Sequence, residues 1–479
     1  MAYQYKQYIG GEWRDASNGR TWDVLNPATE EVVRTVPFGN GKDCRDAIDA
    51  ASTALPGWAG KTAYDRGAVL KNAADLMRRR SDDLARTTVL ESGKPLVQAR
   101  GEWIVAADLF EWFAEEGKRA YGRVVPARVS TKRLMVLKQP IGVVGVITAW
   151  NFPAYNVARA SAAALAAGCT VVARPSEYTP LTAMEMVNVL VEAGLPAGVM
   201  NLVNGDPDPM GQAMLQHPAC AKVHFTGSVR VGKHLMDGAS KTVTRLSLEL
   251  GGNAPVLVFP DVDLEHVAAG AVASKFRNGG QVCVAPQRFL VHRKVADDFV
   301  DRVAQRVGSL RVGSGLDPNT QVGPLINARQ RDRVEALVDS ARSTGASVRV
   351  GGARPADNPR GYFYQPTLVA DVNTTTALFG EEIFGPVMPV ASFDDVDEAV
   401  ATANATRYGL AAYVWTSDLR TAVRAYERLE FGLIGVNEWT PQATEAPFPG
   451  WKESGLGREG GLEGLEEYLE TKLVAIGGL

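Results

Sequence analysis

The chain has 479 residues, 46% hydrophobic and 22% charged, which excludes a largely disordered protein and suggests about three domains. Lysine and arginine total 51 against 54 aspartate and glutamate, and the net charge of -3 argues against a dedicated nucleic-acid binder. The four cysteines (Cys44, Cys169, Cys220, Cys283) form no CxxC pair and the five histidines no HxxxH pair, so neither a disulfide framework nor a metal site is expected.

Met1 to Gly11 lacks the basic start and apolar core of a signal peptide, and a soluble, reducing, cytoplasmic setting is the expectation. The first third reads as helices with polar faces at Cys44–Ala59, Arg66–Ser92 and Leu96–Tyr121. Gly122–Lys138 then alternates like a surface strand pair. The uncharged run Gln139–Ala158 contains Pro140 and Pro153 with two asparagines, which argues against a membrane helix. From Ile141 apolar runs alternate with helical patterns. Strands fall at Ile141–Thr148, Thr170–Ala173, Val199–Val203, Lys222–Phe225 and Val243–Leu250. Helices fall at Ala154–Ala167, Leu181–Ala193, Pro209–Gln216 and Val231–Gly238. This order predicts an α/β fold with a Rossmann-type doubly wound parallel sheet that binds ligand at its strands' carboxyl ends. A second α/β set follows, with strand Pro255–Phe259, helix Leu264–Phe276, strand Arg288–His292 and helix Val295–Leu310. Tyr468–Ile476 reads as a strand with no partner nearby in sequence.

Two glycine motifs mislead. Gly455-Leu-Gly457-Arg-Glu-Gly460 matches a dinucleotide fingerprint, but it follows no strand and too little chain remains for a βαβ unit. Gly227 to Lys233 nearly spells a phosphate loop, yet His234 stands where a magnesium-binding Ser or Thr belongs. It reads instead as a strand–turn–helix entry whose N–H groups suit a diphosphate.

Three residues carry chemistry. Cys283 follows Gly279-Gly280-Gln281, glycines that let the backbone approach a bound molecule and leave the sulfur accessible. Asn151 follows an apolar strand and Trp150. Glu249 lies at an apolar strand end, where a carboxylate needs a partner or a proton. A nucleophile, an amide donor and a poised carboxylate beside a dinucleotide-type sheet suggest acyl transfer coupled to hydride removal.

Seven blocks resemble the aldehyde dehydrogenase superfamily, in its order and over nearly the whole chain. They are Trp150-Asn151-Phe152-Pro153, Arg174-Pro175-Ser176-Glu177, Phe225-Thr226-Gly227-Ser228, Glu249-Leu250-Gly251-Gly252-Asn253, Gly280-Gln281-Val282-Cys283, Glu381-Glu382-Ile383-Phe384-Gly385-Pro386-Val387 and the run Pro447 to Gly455. The resemblance implies a cofactor domain at 1–121 and 140–250, a catalytic domain at 251–462, and a small β oligomerisation element at 122–139 and 463–479. It implies that Cys283 attacks the aldehyde, that Asn151 and the Cys283 N–H hold the oxyanion, and that Glu249 activates water on the thioester. It further implies that Trp150, Arg174, Glu177, Gly211, Phe225 and Ser228 line the adenosine and diphosphate half of NAD, with Glu382 and Phe384 at the nicotinamide ribose. Arg174 stands where the family usually has Lys, and Pro207 where the diphosphate loop often has Gly. Glu177 suits a ribose 2′-hydroxyl and repels a 2′-phosphate, so NAD is the expected cofactor with NADP as a secondary one.

Among branches the chain most resembles succinate-semialdehyde dehydrogenases. Arg159 and Arg277 match that branch's carboxylate-binding arginines and imply a small anionic aldehyde. The branch's serine anchor is absent. The loop there runs Glu438 to Glu445, where Gln442 or Thr444 offers a donor instead, and sulfolactaldehyde is the specific alternative substrate. Ala285 replaces the branch's second cysteine, so no disulfide switch is expected. A CoA-acylating enzyme is disfavoured by Glu249, a non-enzymatic binding protein by the retained trio, and a nucleotide hydrolase by the failed phosphate loop. No membrane or nucleic-acid partner is expected. The surface strands imply a homo-oligomer, dimer or tetramer.

Overall fold

The computed structural model describes residues 5–478. Four strands that the periodicity does not reveal open it. β1 (Gln7–Ile9) and β2 (Glu12–Arg14) form one antiparallel pair, β3 (Thr21–Leu25) and β4 (Val32–Pro37) another. Four helices follow: α1 (Gly41–Ala59), α2 (Ala63–Arg79), α3 (Ser81–Ser92) and α4 (Leu96–Glu116). The single helix expected over Arg66–Ser92 is two, because Arg80 leaves helical geometry (φ −102°, ψ 11°). At this bend the Arg80 guanidinium pairs with Glu192 at 2.9 Å.

The chain then lays down β5 (Arg123–Val125), β6 (Arg133–Pro140), β7 (Val143–Ile147), α5 (Pro153–Ala167), β8 (Thr170–Arg174), α6 (Pro180–Glu192), β9 (Met200–Leu202), α7 (Pro207–Gln216), β10 (Cys220–Thr226), α8 (Val229–Ser240) and β11 (Arg245–Glu249). The first sheet runs β2-β1-β9-β8-β7-β10-β11, and the pair Gly455–Leu456 closes its edge. Strands β7 to β11 are parallel, as their order in sequence predicts. Every residue of β7 and β8 is buried, which is why they read as continuous apolar runs rather than alternating ones. After β9 the chain returns to place β10 on the opposite flank of β7. The loops after β7 and β10 therefore face each other across the sheet's switch point, where such sheets bind ligands.

The second sheet is built from β12 (Ala254–Val258), α9 (Leu264–Phe276), β13 (Pro286–His292), α10 (Ala296–Gly308), α11 (Ala328–Ser343), β14 (Ser347–Val350), β15 (Thr367–Ala370), β16 (Val387–Phe393), β18 (Ala411–Trp415) and β19 (Leu433–Val436). The two-residue β17 (Tyr408–Gly409) lies outside it. The order is β14-β15-β16-β13-β12-β18-β19, all parallel except edge strand β14. The last strand, Leu469–Ile476, finds its partner far upstream. It pairs along its length with β6, which also pairs β5, giving a three-stranded antiparallel sheet. Among the described residues no helix is long and apolar enough to cross a membrane.

Candidate active site

A cavity of about 920 Å³ has walls from loops of both α/β sets. The first sheet contributes Trp150 and Asn151 after β7, Gly227 and Ser228 after β10, and Glu249 at the end of β11. The second set contributes Arg277, Cys283, Glu382 and Phe384. Sequence-distant segments meet here because glycines let backbones touch. A Cβ on Gly252 would lie 2.4 Å from the Cys283 carbonyl oxygen, so the Glu249 and Cys283 segments pass in direct contact. Gly280 serves a second purpose beside the one its position suggests. Its φ is +73°, and a Cβ there would lie 2.1 Å from the Gly385 carbonyl oxygen. The glycine before the cysteine thus accommodates neighbouring backbone, not only a ligand.

Burial pushes the Cys283 thiol up to about 12; Arg159 opposes this, while the carboxylates of Glu382, Glu249 and Glu459 reinforce it. The Asn151 Nδ2 donates to the Gln281 carbonyl at 3.2 Å, and its Oδ1 accepts from Asn156 Nδ2 at 3.2 Å. That pairing fixes the amide orientation and points its N–H side at the cysteine loop. Among the described residues none accepts from the Cys283 backbone N–H. Glu249 is 5% exposed, and its Oε2 has no hydrogen-bond partner among the described residues. Burial, then the charge of Glu459, holds its carboxyl well above the usual carboxylate range.

Glu459 is a residue that motif reading missed. It belongs to the misleading Gly455–Gly460 turn, whose Gly455 pairs with Glu249 in the sheet. It forms a buried ion pair with Arg159 and lies 2.7 Å from His224 Nε2. Against burial, the Arg159 guanidinium and the neighbouring His224 ring hold Glu459 below the ordinary carboxylate range. Its signal in sequence was a carboxylate inside a glycine-rich turn with no stated use.

The three substrate candidates, Arg159, Arg277 and Gln442, all line the cavity, but they differ in freedom. Arg159 is engaged by Glu459 and lies 3.8 Å from the Phe448 ring centroid. The Arg277 guanidinium has no hydrogen-bond or ion-pair partner among the described residues and lies 5.5 Å from the Phe152 ring centroid. The buried Oε1 of Gln442 is likewise unpartnered among them.

Of the cofactor candidates, Trp150, Ser228, Glu382 and Phe384 line the cavity. The Trp150 and Phe384 rings meet edge-on at 5.3 Å. Ser228 caps α8, leaving that helix's first N–H groups at the wall. Glu382 sits in a loop; it accepts from Gly252 N at 2.9 Å, and burial pushes it up to about 7. Arg174, Glu177, Gly211 and Phe225 do not line the cavity. Arg174 Nη2 donates to Glu177 (2.9 Å) and to the Gly205 carbonyl (2.6 Å). Phe225 packs beneath Gly227, and Gly211 lies within α7. Among the described residues no His, Cys, Asp and Glu grouping could hold a metal ion.

Residues 13–474 match the model of the aldehyde dehydrogenase family. The chain is 45% identical to succinate-semialdehyde dehydrogenase [NADP(+)] GabD of Escherichia coli (strain K12), with 99% of this chain and 98% of the relative covered. It is 44% identical to the glutarate-semialdehyde dehydrogenase of Pseudomonas putida, covering 99% and 98%. The crystal structure of Staphylococcus aureus betaine aldehyde dehydrogenase in complex with NAD+ superposes with a TM-score of 0.97 at 36% identity, covering 99% and 95%.

Proposed function

The chain belongs to the aldehyde dehydrogenase family and is an NAD(P)-dependent oxidoreductase, and from that premise we propose that it oxidises a small anionic aldehyde to its acid through a thioester on Cys283. The observation that carries this reading is one cavity lined by the Cys283 sulfur, the Asn151 amide and the unpartnered, buried Glu249 carboxyl. Cys283 Sγ passes its proton to water and, as the thiolate, bonds to the aldehyde carbon as the carbonyl π bond breaks. The oxygen takes the resulting charge and is held by Asn151 Nδ2 and the Cys283 N–H. When bound, the nicotinamide cofactor supplies the acceptor for the hydride that leaves that carbon. Glu249 then takes a proton from water, the water oxygen attacks the acyl carbon, and the C–S bond breaks to release the acid.

The cofactor end is formed by Trp150, Phe384, Glu382 and the α8 start. This fits a nicotinamide dinucleotide: two rings, a carboxylate beside the reacting end and a helix N-terminus for diphosphate. We assign NAD as the preferred partner, NADP as the second. Glu177 supports this less directly than expected, because Arg174 already engages its carboxylate.

Arg277, with Gln442, is the anion anchor, since its guanidinium is free while that of Arg159 is neutralised by Glu459. Succinate semialdehyde is the leading substrate. Sulfolactaldehyde is the second reading, favoured by the unpartnered Gln442 where a serine is absent. The chain divides as 1–121 with 140–250, 251–462, and 122–139 with 463–479. The two parallel sheets and the three-stranded sheet support this division, with Gly455–Leu456 crossing from 251–462 to the edge of the first sheet, and exposed Val124 and Leu473 on the three-stranded sheet support self-association.

The test measures NADH and NADPH formation with succinate semialdehyde, glutarate semialdehyde, sulfolactaldehyde and uncharged aldehydes, for the native enzyme, Arg277→Met and Arg159→Met. The reading expects an anionic aldehyde to win and Arg277→Met to raise its KM about tenfold or more, the equivalent of one lost charge-assisted contact. Preference for uncharged aldehydes would overturn the anion anchor.

A further inference from the structure

Three side chains spaced four residues apart at the start of α4 reach the catalytic loops. Lys94 lies two residues before the helix, Gln98 in its first turn and Glu102 one turn on. Lys94 and Glu102 are buried, and Gln98 is half-buried. The Lys94 ammonium donates to the Asn151 carbonyl at 2.8 Å and lies 4.3 Å from the Phe152 ring centroid. It also forms an ion pair with Glu102. Glu102 Oε1 accepts from the N–H groups of Ala154 (2.8 Å) and Tyr155 (3.2 Å), the orphan donors at the start of α5. Gln98 Oε1 accepts from the Asn278 N–H at 2.8 Å.

Asn278 joins the two loops. Its Nδ2 donates to the Asn151 carbonyl (2.9 Å) and to the Gln281 carbonyl (3.3 Å), the group that also accepts from the Asn151 side chain. Asn278 holds φ +50° and is followed by Gly279 and Gly280, both left-handed. Glycines take that region freely, but a non-glycine residue such as Asn278 holds it where the surroundings fix it. Among the described residues, the groups that hold the Asn151 carbonyl and the Asn278 N–H come from this helix start or from Asn278 itself.

We propose that Lys94, Gln98 and Glu102 are positioning residues that set the distance between the Asn151 amide and the Cys283 loop. They touch no reacting atom. A buried ammonium on a backbone carbonyl is a costly arrangement, and pairing with Glu102 offsets it only if both stay in place. The geometry gives the pair a purpose: it fixes a loop whose displacement by about 1 Å would cost on the order of 10²-fold in rate. This rests on the proposed roles of Asn151 and Cys283, and its test is arranged to fail separately from them.

Gln98→Leu removes the acceptor for Asn278, while Gln98→Glu retains one. Lys94→Met with Glu102→Gln removes both charges together and keeps an oxygen for Ala154 and Tyr155, so no lone charge is left buried. Two readouts are taken: turnover per titrated active site with its KM, and the rate at which iodoacetamide modifies Cys283 without cofactor or aldehyde. The proposal expects Gln98→Leu and the double variant to lose kcat about 10–100-fold with KM changed less than about threefold, and Gln98→Glu to recover most of it. It also expects alkylation of Cys283 to quicken about threefold or more in the first two, because a released loop admits water to the thiol. Native turnover per active site in both variants, or unchanged alkylation, would overturn it. If no aldehyde is oxidised by the native enzyme yet alkylation responds as stated, the positioning stands and the assigned reaction falls.

Discussion

Glu249 and Glu459 show how two buried carboxyls reach opposite states. Glu459 faces Arg159 and His224 and stays ionised; Glu249 faces Glu459 and is pushed towards its neutral form. A base works only when unprotonated, so water activation by Glu249 rises with pH as the pH climbs through its raised value. Steady-state turnover is therefore expected to increase from mildly acidic towards alkaline pH. Glu249→Gln is expected to remove the share of that rise due to water activation, leaving the share due to ionising the Cys283 thiol, and to leave a burst of about one NADH per active site, followed by turnover about 10²-fold slower. Rapid-mixing absorbance checks this, and a burst-free variant with the native pH profile would contradict it. At this scale the sequence was informative, because Cys283, Asn151 and Glu249 each sit in a short motif whose chemistry is local. Glu459 escaped because its use depends on Arg159, His224 and Glu249, none of them near it in sequence.

Among elements, those of the parallel sheets were legible because their apolar runs and helical periods are local. The amino-terminal strands were not. They are three to six residues long, and β1 joins its sheet through one register pair, Tyr8 with Leu202, far along the chain. The break between α2 and α3 involves neither glycine nor proline, so composition gave no stop signal. Helix α9 carries a buried group with no use in the mechanism. Lys275 is fully buried and its Nζ lacks a hydrogen-bond partner among the described residues. Burial, opposed by the charge of Glu382, pulls it down to about 7. Its folded value lies below the unfolded one, so the unfolded chain binds the proton more tightly. Stability at this site is full at high pH and falls as pH is lowered from about 10.5 to about 7. Lys275→Met is expected to melt higher than the native protein, with the larger gain at about pH 6 than at about pH 10. Thermal melts at both values decide it; a lower midpoint at both would show that the ammonium is needed.

For the whole molecule, the arrangement of the two parallel sheets places the reaction. The β7–β10 switch point faces the loop of Cys283 across one cavity, with Trp150 and Ser228 supplied by the first sheet and Cys283, Glu382 and Phe384 by the second set. This pairing was legible only through resemblance, since no local pattern says which loops of two sheets will meet. The third sheet joins β5, β6 and the final strand from segments far apart in sequence, with Leu469 registered against Pro140 and Ile476 against Arg133. Its exposed Val124 and Leu473 underlie the proposed self-association, which sedimentation would refute by finding only monomer. Every step of the proposed reaction passes through one sulfur atom. The most direct measurement is steady-state NADH formation by Cys283→Ala, folded and supplied with NAD and succinate semialdehyde. The expected result is no turnover above background; NADH at the native rate would contradict the role of the thiolate.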